Sequence, residues 1–261
     1  FIAGDAAHQY SPTGGLGMNT GIQEAVDIAW KLSAVLNGWG GDALLESYFS
    51  ERQPVAIRNN EEATANFKKL AELPSGKAID QDTPEGDALR ARAQDVVENG
   101  GYNEEYEQEG ITVGYRYDTS PICVDDGTGF PALTIVDYEQ TARPGARAPH
   151  VWLAADRSTL DLFGKGFTLL RLGSDAPDAP GLVAAAAACG MPLHVEHVES
   201  AEARAVYDCA LCLVRPDGHV AWRGDVDPAN AAAIVDVVRG AGADEVQTCA
   251  DAFAKSGREA A

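Results

Sequence analysis

The chain has 261 residues, 45% of them apolar, which suits a soluble globular protein with room for two ordinary domains and excludes a disordered tail. Forty acidic residues against twenty basic ones give a formal net charge of -20, so neither nucleic acid nor an anionic membrane is expected as a partner. No apolar run reaches bilayer-spanning length, the first residues lack the order of a signal peptide, and five irregularly spaced cysteines read as reduced thiols, together pointing to a cytoplasmic protein.

Phe1-Ile2-Ala3 reads as the end of a strand, running into Gly4-Asp5 and a glycine-rich loop. From about Asn19 a helix is predicted, with Ile22, Val26, Ala29, Leu32 and Leu36 at helical spacing until Asn37-Gly38. A second helix is expected over 42–70, interrupted near Pro54. Residues 74–110 turn polar and acidic, with a surface helix over 87–98. A strand is expected over 111–117, and the proline-bearing stretch 119–150 reads as a connector. Beyond it come strands over 167–172, 193–198, 210–214 and 219–222, a helix over 181–189, a turn at Pro216-Asp217-Gly218, and a last helix capped by Asp227 and ending at Gly240. That order predicts a small mixed α/β domain.

The chemistry concentrates near the start. Gly4-Asp5 at a strand end places a carboxylate where a ligand's hydroxyls would lie. In Pro12-Thr13-Gly14-Gly15-Leu16-Gly17 the glycines let backbone approach a flat ligand, while the following helix aims amide groups and its positive dipole end at the same point. Such a site suits a group that becomes negative during reaction.

GDAAH, then P-x-G-G-x-G-M-N-T-G, then A-W-K-L at 29–32 resembles the C-terminal flavin motif of the single-component FAD-dependent aromatic hydroxylases, the group A flavoprotein monooxygenases. ERQPVA at 51–56, RPGARAPHVWL at 143–153 and LVRPDGHVAWRG at 213–224 are similar to the phenol hydroxylase and polyketide hydroxylase branch. The resemblance implies an α/β chain. Residues 1–118 would be the C-terminal part of a glutathione-reductase-type FAD-binding domain with a helical extension, 119–150 a connector, and 151–261 a thioredoxin-like domain.

It further implies that Asp5 hydrogen-bonds the ribityl chain of FAD, with Gly4 in the same cofactor site, and that Pro12, the one residue given a catalytic place, lies beside the isoalloxazine ring. Gly14, Gly15, Leu16, Gly17, Met18 and Asn19 would line the flavin, with the backbone amides around Gly17, Met18 and Asn19 facing its pyrimidine edge. NAD(P)H would reduce the flavin, O2 would add to form a C4a-hydroperoxide, and one oxygen would pass to an aromatic small-molecule substrate in a pocket closed to water. The family often forms homodimers. No metal is implied.

No Gly-x-Gly-x-x-Gly occurs in these 261 residues. The chain is therefore expected to be a C-terminal half whose activity needs an N-terminal half of the same enzyme or a complementary chain. Two alternatives stay open: a non-enzymatic thioredoxin-like interaction module with a vestigial flavin loop, and a Baeyer-Villiger or epoxidising member of the same family. His8 reads as packed under the loop, and Cys209-Ala-Leu-Cys212 as buried structural thiols. His194 and His197 read as a solvated edge, Arg143 as a clamp on acidic surface or backbone, Trp30 and Lys31 as packing and surface, and the acidic stretch 103–109 as a solvated face.

Overall fold

The computed structural model describes residues 1–100 and 105–242. Gly101, and residues 103 and 104 of the acidic stretch 103–109, lie outside them. The chain divides into two compact units. The first holds residues 1–25, 54–113 and 133–138; the second holds 26–53, 114–132 and the chain from Glu139 onward.

In chain order, a 3-10 turn at Gly4–Ala6 precedes helix α1, Leu16–Leu36, and helix α2, Asp42–Ala71. A 3-10 turn at Lys77–Asp80 leads into α3, Pro84–Asn99, and the short α4, Glu109–Thr112, follows. α3 starts where Thr83 accepts a hydrogen bond from Gly86 N at 3.2 Å and Pro84 needs no donor partner. Phe1 and Ile2 are exposed and residues 1–3 carry no strand among the described residues, unlike the strand end expected there. The expected strand over 111–117 is also replaced: its first residues close α4, where Ile111 N and Gly110 N bond Ile135 O and Val136 O.

Helix α2 runs unbroken through Pro54. The lost hydrogen bond is offset because residues on either side of the proline are separately buried, Glu51 and Arg52 before it and Asn59 and Ala63 after it. Helix α1 inverts its amphipathic pattern. Ile22, Val26 and Leu36 are 55%, 50% and 84% exposed, while the stripe Thr20, Glu24, Asp27 and Lys31 is buried.

The second unit is built on a four-stranded sheet. β1 (Trp152–Ala154) and β2 (Arg157–Ser158) form a small antiparallel pair ahead of it. The sheet comprises β3 (Phe167–Leu172), β4 (Leu193–Val198), β5 (Leu211–Val214) and β6 (Val220–Gly224), with helices α5 (Pro180–Ala188), α6 (Ala201–Tyr207) and α7 (Ala231–Val238) between and after the strands. Strand order is β4-β3-β5-β6, with β3 and β4 parallel and the other pairs antiparallel.

Side chains alternate across it. Phe167, Leu169, Leu211 and Leu213 join the cluster containing Trp30, Trp39, Leu182 and Ile234, while Leu170, Leu172, Cys212 and Val214 join Leu162, Val198 and Tyr207 on the other face. Both faces are covered, which is why β3 and β5 read as nearly continuous apolar runs. Asp227, expected to cap the last helix, instead accepts from Gly181 N at 2.7 Å and Leu182 N at 3.3 Å at the start of α5, and α7 begins four residues later.

Candidate functional site

In the first unit, the Gly4–Ala6 turn is pinned to α1. Gly4 N donates to Glu24 Oε2 at 2.8 Å, and Glu24 Oε1 lies 2.9 Å from His8 Nε2. A Cβ on Gly21 would stand 3.2 Å from the Gly4 Cα, so the turn and the helix meet backbone to backbone. His8 stacks on Tyr10 with ring centroids 4.5 Å apart, and Tyr10 Oη donates to Ala56 O at 2.7 Å. His8 is thus packed, as its sequence context suggests, and Asp5 is left exposed beside the first turns of α1.

The loop from Pro12 to Gly17 needs its glycines: Gly14 and Gly15 have φ of +81° and +64°. Thr13 Oγ1 donates to Ala63 O at 2.6 Å, and the Leu16 side chain packs inside with Ala63 and Ile111, which leaves only its backbone at the start of α1. The Gly17 side of the helix rests on Tyr10. Pro12, Gly15, Met18 and Asn19 are exposed, and a Cβ on Gly15 would meet no atom within 4 Å.

The loop therefore offers one open, flat face next to a helix N-terminus, a fit for a planar group such as a flavin. Gly14 faces inward instead: its N donates to Glu105 Oε1 at 3.0 Å, and its O accepts from Gln108 Nε2 at 2.8 Å. Glu105 is consequently not part of a merely solvated acidic face.

The second unit holds a cluster the sequence reading missed. Lys31 is fully buried, with Nζ 2.8 Å from Asp27 Oδ2 and 2.6 Å from Glu51 Oε2, which corrects its assignment to the surface. Arg215, also fully buried, donates to both Glu51 oxygens at 2.6 and 2.9 Å, to Asp27 Oδ1 at 3.3 Å and to Asp217. Burial pushes the Asp27 carboxyl up to about 7, against the pull of Lys31. Burial would also raise Glu51, but Arg215, by charge and hydrogen bond, and Lys31 hold it below its ordinary value. Asp217 is held well below its ordinary value by Arg215 and His219 in spite of burial. Burial lowers His219, whose ring centroid lies 4.4 Å from that of Tyr117.

Cys209 and Cys212 are buried, and burial together with the neighbouring Cys209 raises the Cys212 thiol well above its usual range. That is the opposite of an activated thiolate. His194 is exposed on the edge strand β4 with Glu196 at 2.7 Å, and Arg143 Nη2 reaches Asp125 at 3.1 Å. Among the described residues no group of three or more His, Cys, Asp or Glu could hold a metal ion, and no helix is long and apolar enough to cross a membrane.

Residues 1–63 match the FAD binding domain family, and residues 141–242 match the family described as aromatic-ring hydroxylase, C-terminal. The FAD-dependent monooxygenase apdD of Emericella nidulans is 40% identical over 243 residues, covering 86% of this chain and 38% of that protein. The 2,4-dichlorophenol 6-monooxygenase of Cupriavidus pinatubonensis is 34% identical over 266 residues, covering 89% of this chain and 44% of that protein. Among solved structures, chromopyrrolic acid-soaked RebC with bound 7-carboxy-K252c superposes with a TM-score of 0.84 at 44% identity, over 93% of this chain and 46% of that one. The chain spans less than half the length of these proteins. Over that span, in both sequence and fold, it is a relative of the FAD-dependent aromatic-ring hydroxylases.

Proposed function

We propose that this chain supplies one wall of the flavin site of an FAD-dependent aromatic monooxygenase. The observation that carries this is the open face at Gly15 beside the N-terminus of α1, with Asp5 exposed in the turn that meets the same helix at Gly21 and Glu24. When bound, FAD would supply the transfer of electrons from NAD(P)H to O2 and the delivery of one oxygen atom to an aromatic small-molecule substrate. Asp5 would hold the ribityl hydroxyls, with Gly4 fixing its turn against α1. Pro12, with its fixed φ, would form a rigid wall beside the ring system. Gly15 would keep backbone rather than side chain against it, with Gly14 holding the loop from its inner side, and the backbone at Leu16, Gly17, Met18 and Asn19 would stabilise negative charge on the pyrimidine edge by roughly 0.3 to 2 kcal/mol.

The opposite wall, with a Gly-x-Gly-x-x-Gly phosphate site, would come from an N-terminal half or a complementary chain. The exposed stripe of Ile22, Val26 and Leu36 on α1 is apolar surface suited to such a partner. The unit built on the β4-β3-β5-β6 sheet would be the thioredoxin-like domain, a reading supported by one parallel pair followed by an antiparallel hairpin and helices between strands. Its two buried cysteines, with the Cys212 thiol raised by burial, would make it a structural rather than a redox module.

The test is to produce the chain together with such a half, add FAD, and follow flavin absorbance and phenol-dependent NAD(P)H oxidation. Retained flavin and a hydroxylated product are expected. A colourless protein that oxidises no NAD(P)H with any phenol would overturn the proposal.

A further inference from the structure

The glycine-rich loop is held from outside. Gly14 has both of its backbone groups taken by side chains far along the chain, N–H by Glu105 and C=O by Gln108, 91 and 94 residues away. The one backbone bond within the loop is Gly15 N to Pro12 O at 3.3 Å. Two adjacent glycines at positive φ leave a segment with many accessible shapes, so one shape persists only where contacts select it.

The grip is itself anchored. Gln108 is the N-cap of α4, and its carbonyl accepts from Ile111 N at 3.2 Å and Thr112 N at 3.0 Å. α4 is fixed in turn by Gly110 N to Val136 O and Ile111 N to Ile135 O, both 3.1 Å, and by Arg58 Nη2, which donates to Thr134 O at 2.6 Å and Gly110 O at 3.3 Å. Ile111 is buried against Leu16, the first residue of α1. On the inner side of Gly14 there is no slack, since a Cβ there would stand 3.3 Å from Asn66 Nδ2 and 3.4 Å from Gln108 Oε1.

We infer that Glu105 and Gln108 are positioning residues, a clamp on Gly14 that sets the shape of the Pro12–Gly17 loop and thereby the face it offers to the cofactor. The flavin part of this inference rests on the proposed function; the clamp itself does not. Glu105 acts as a hydrogen-bond acceptor and Gln108 as a donor, so the conservative variants divide. Glu105→Gln keeps an acceptor for Gly14 N–H, whereas Gln108→Glu has no proton to give Gly14 C=O at neutral pH.

The experiment measures amide hydrogen exchange of residues 12–19 in the chain, and FAD affinity and hydrogen peroxide release in the flavin-loaded enzyme. Glu105→Ala, Gln108→Ala and Gln108→Glu should speed exchange in 12–19 by about 10-fold, the equivalent of one hydrogen bond, and leave β3 and β5 unchanged. They should weaken FAD binding by a similar factor and divert NAD(P)H electrons to peroxide, while Glu105→Gln stays near wild type. Unchanged loop exchange in both alanine variants would overturn the clamp, and a Glu105→Gln as damaging as Glu105→Ala would overturn its hydrogen-bond basis. A wild type that binds no FAD would instead sink the functional reading, with the exchange data still deciding the clamp.

Discussion

Arg215→Met should be among the most damaging single substitutions in the second unit. Methionine keeps apolar volume but removes the guanidinium that bonds both Glu51 oxygens at 2.6 and 2.9 Å, Asp27 at 3.3 Å and Asp217. Lys31 remains near Asp27 and Glu51, and His219 near Asp217, so three buried carboxylates lose their shared cation. Breaking a buried pair from one side costs about 3 to 5 kcal/mol, a large share of a domain's usual stability. Urea denaturation followed by tryptophan fluorescence reads this directly, because Trp30 lies 5.3 Å from the Arg215 Cζ. The loss should depend on pH. In wild type, Glu51 and Asp217 are held below their ordinary values, so their contribution is present throughout pH 6 to 8; between those values Asp27 takes up a proton on folding, while burial makes His219 give one up. Without Arg215, burial raises all three carboxyls, and the variant recovers stability as pH falls from 8 to 6. A loss below about 1 kcal/mol at pH 8, or an equal loss at both pH values, would refute the reasoning.

Asp27→Asn removes a carboxyl whose folded pKa stands at about 7, above its unfolded value of 3.8. That group's contribution is complete below 3.8 and lost as pH rises through 7, so the variant should show a flatter stability profile between pH 4 and 8 in denaturant midpoints. Gly15→Ala should cost only about 1 kcal/mol of stability, for its positive φ, yet weaken FAD binding, because its Cβ covers the open face; thermal melts and flavin fluorescence titration separate the two. Cys209→Ala with Cys212→Ala should leave flavin chemistry unchanged, and in the native wild type neither thiol should react with a thiol reagent until the protein unfolds. Ile22→Ser with Val26→Ser should change the chain's own stability by under about 0.5 kcal/mol but abolish co-purification with a Gly-x-Gly-x-x-Gly half, since both side chains are at least half exposed.

What could be seen in the sequence was what depends on local chemistry. Paired glycines before a helical period marked the loop and α1, and apolar runs followed by Pro216-Asp217-Gly218 marked β5, its turn and β6. The start of α1 was placed three residues late, because Leu16 and Gly17 read as loop when they open the helix. The period of α1 was legible and its orientation was not. Counting apolar residues puts Ile22, Val26 and Leu36 on the inner side, whereas the helix buries Thr20, Glu24, Asp27 and Lys31. A pattern of polarity says which residues share a face, but burial depends on what lies opposite. Charges that find partners 20 and 164 residues away leave no local trace. Glu105 was misread for the same reason, its partner Gly14 being 91 residues away.

One signal could have located the buried cluster without coordinates. Three of the motifs that carry the resemblance bring its members: A-W-K-L brings Lys31, E-R-Q-P brings Glu51, and R-P-D-G-H brings Arg215, Asp217 and His219. Taken alone, each charge belongs on a surface, since solvation is the default for Lys, Glu and Arg. Taken together they supply three carboxylates with Asp27 against two cations, a set that can be buried only if its members meet. The excess carboxylate is where the physics shows strain, and Asp27, the one whose pKa rises, carries it. A cluster of this kind adds little net stability over apolar packing but is costly to half-build, so it ties α1, α2 and the β5–β6 turn to one arrangement. The motif residues that look most like surface are therefore those that most constrain how the second unit is assembled.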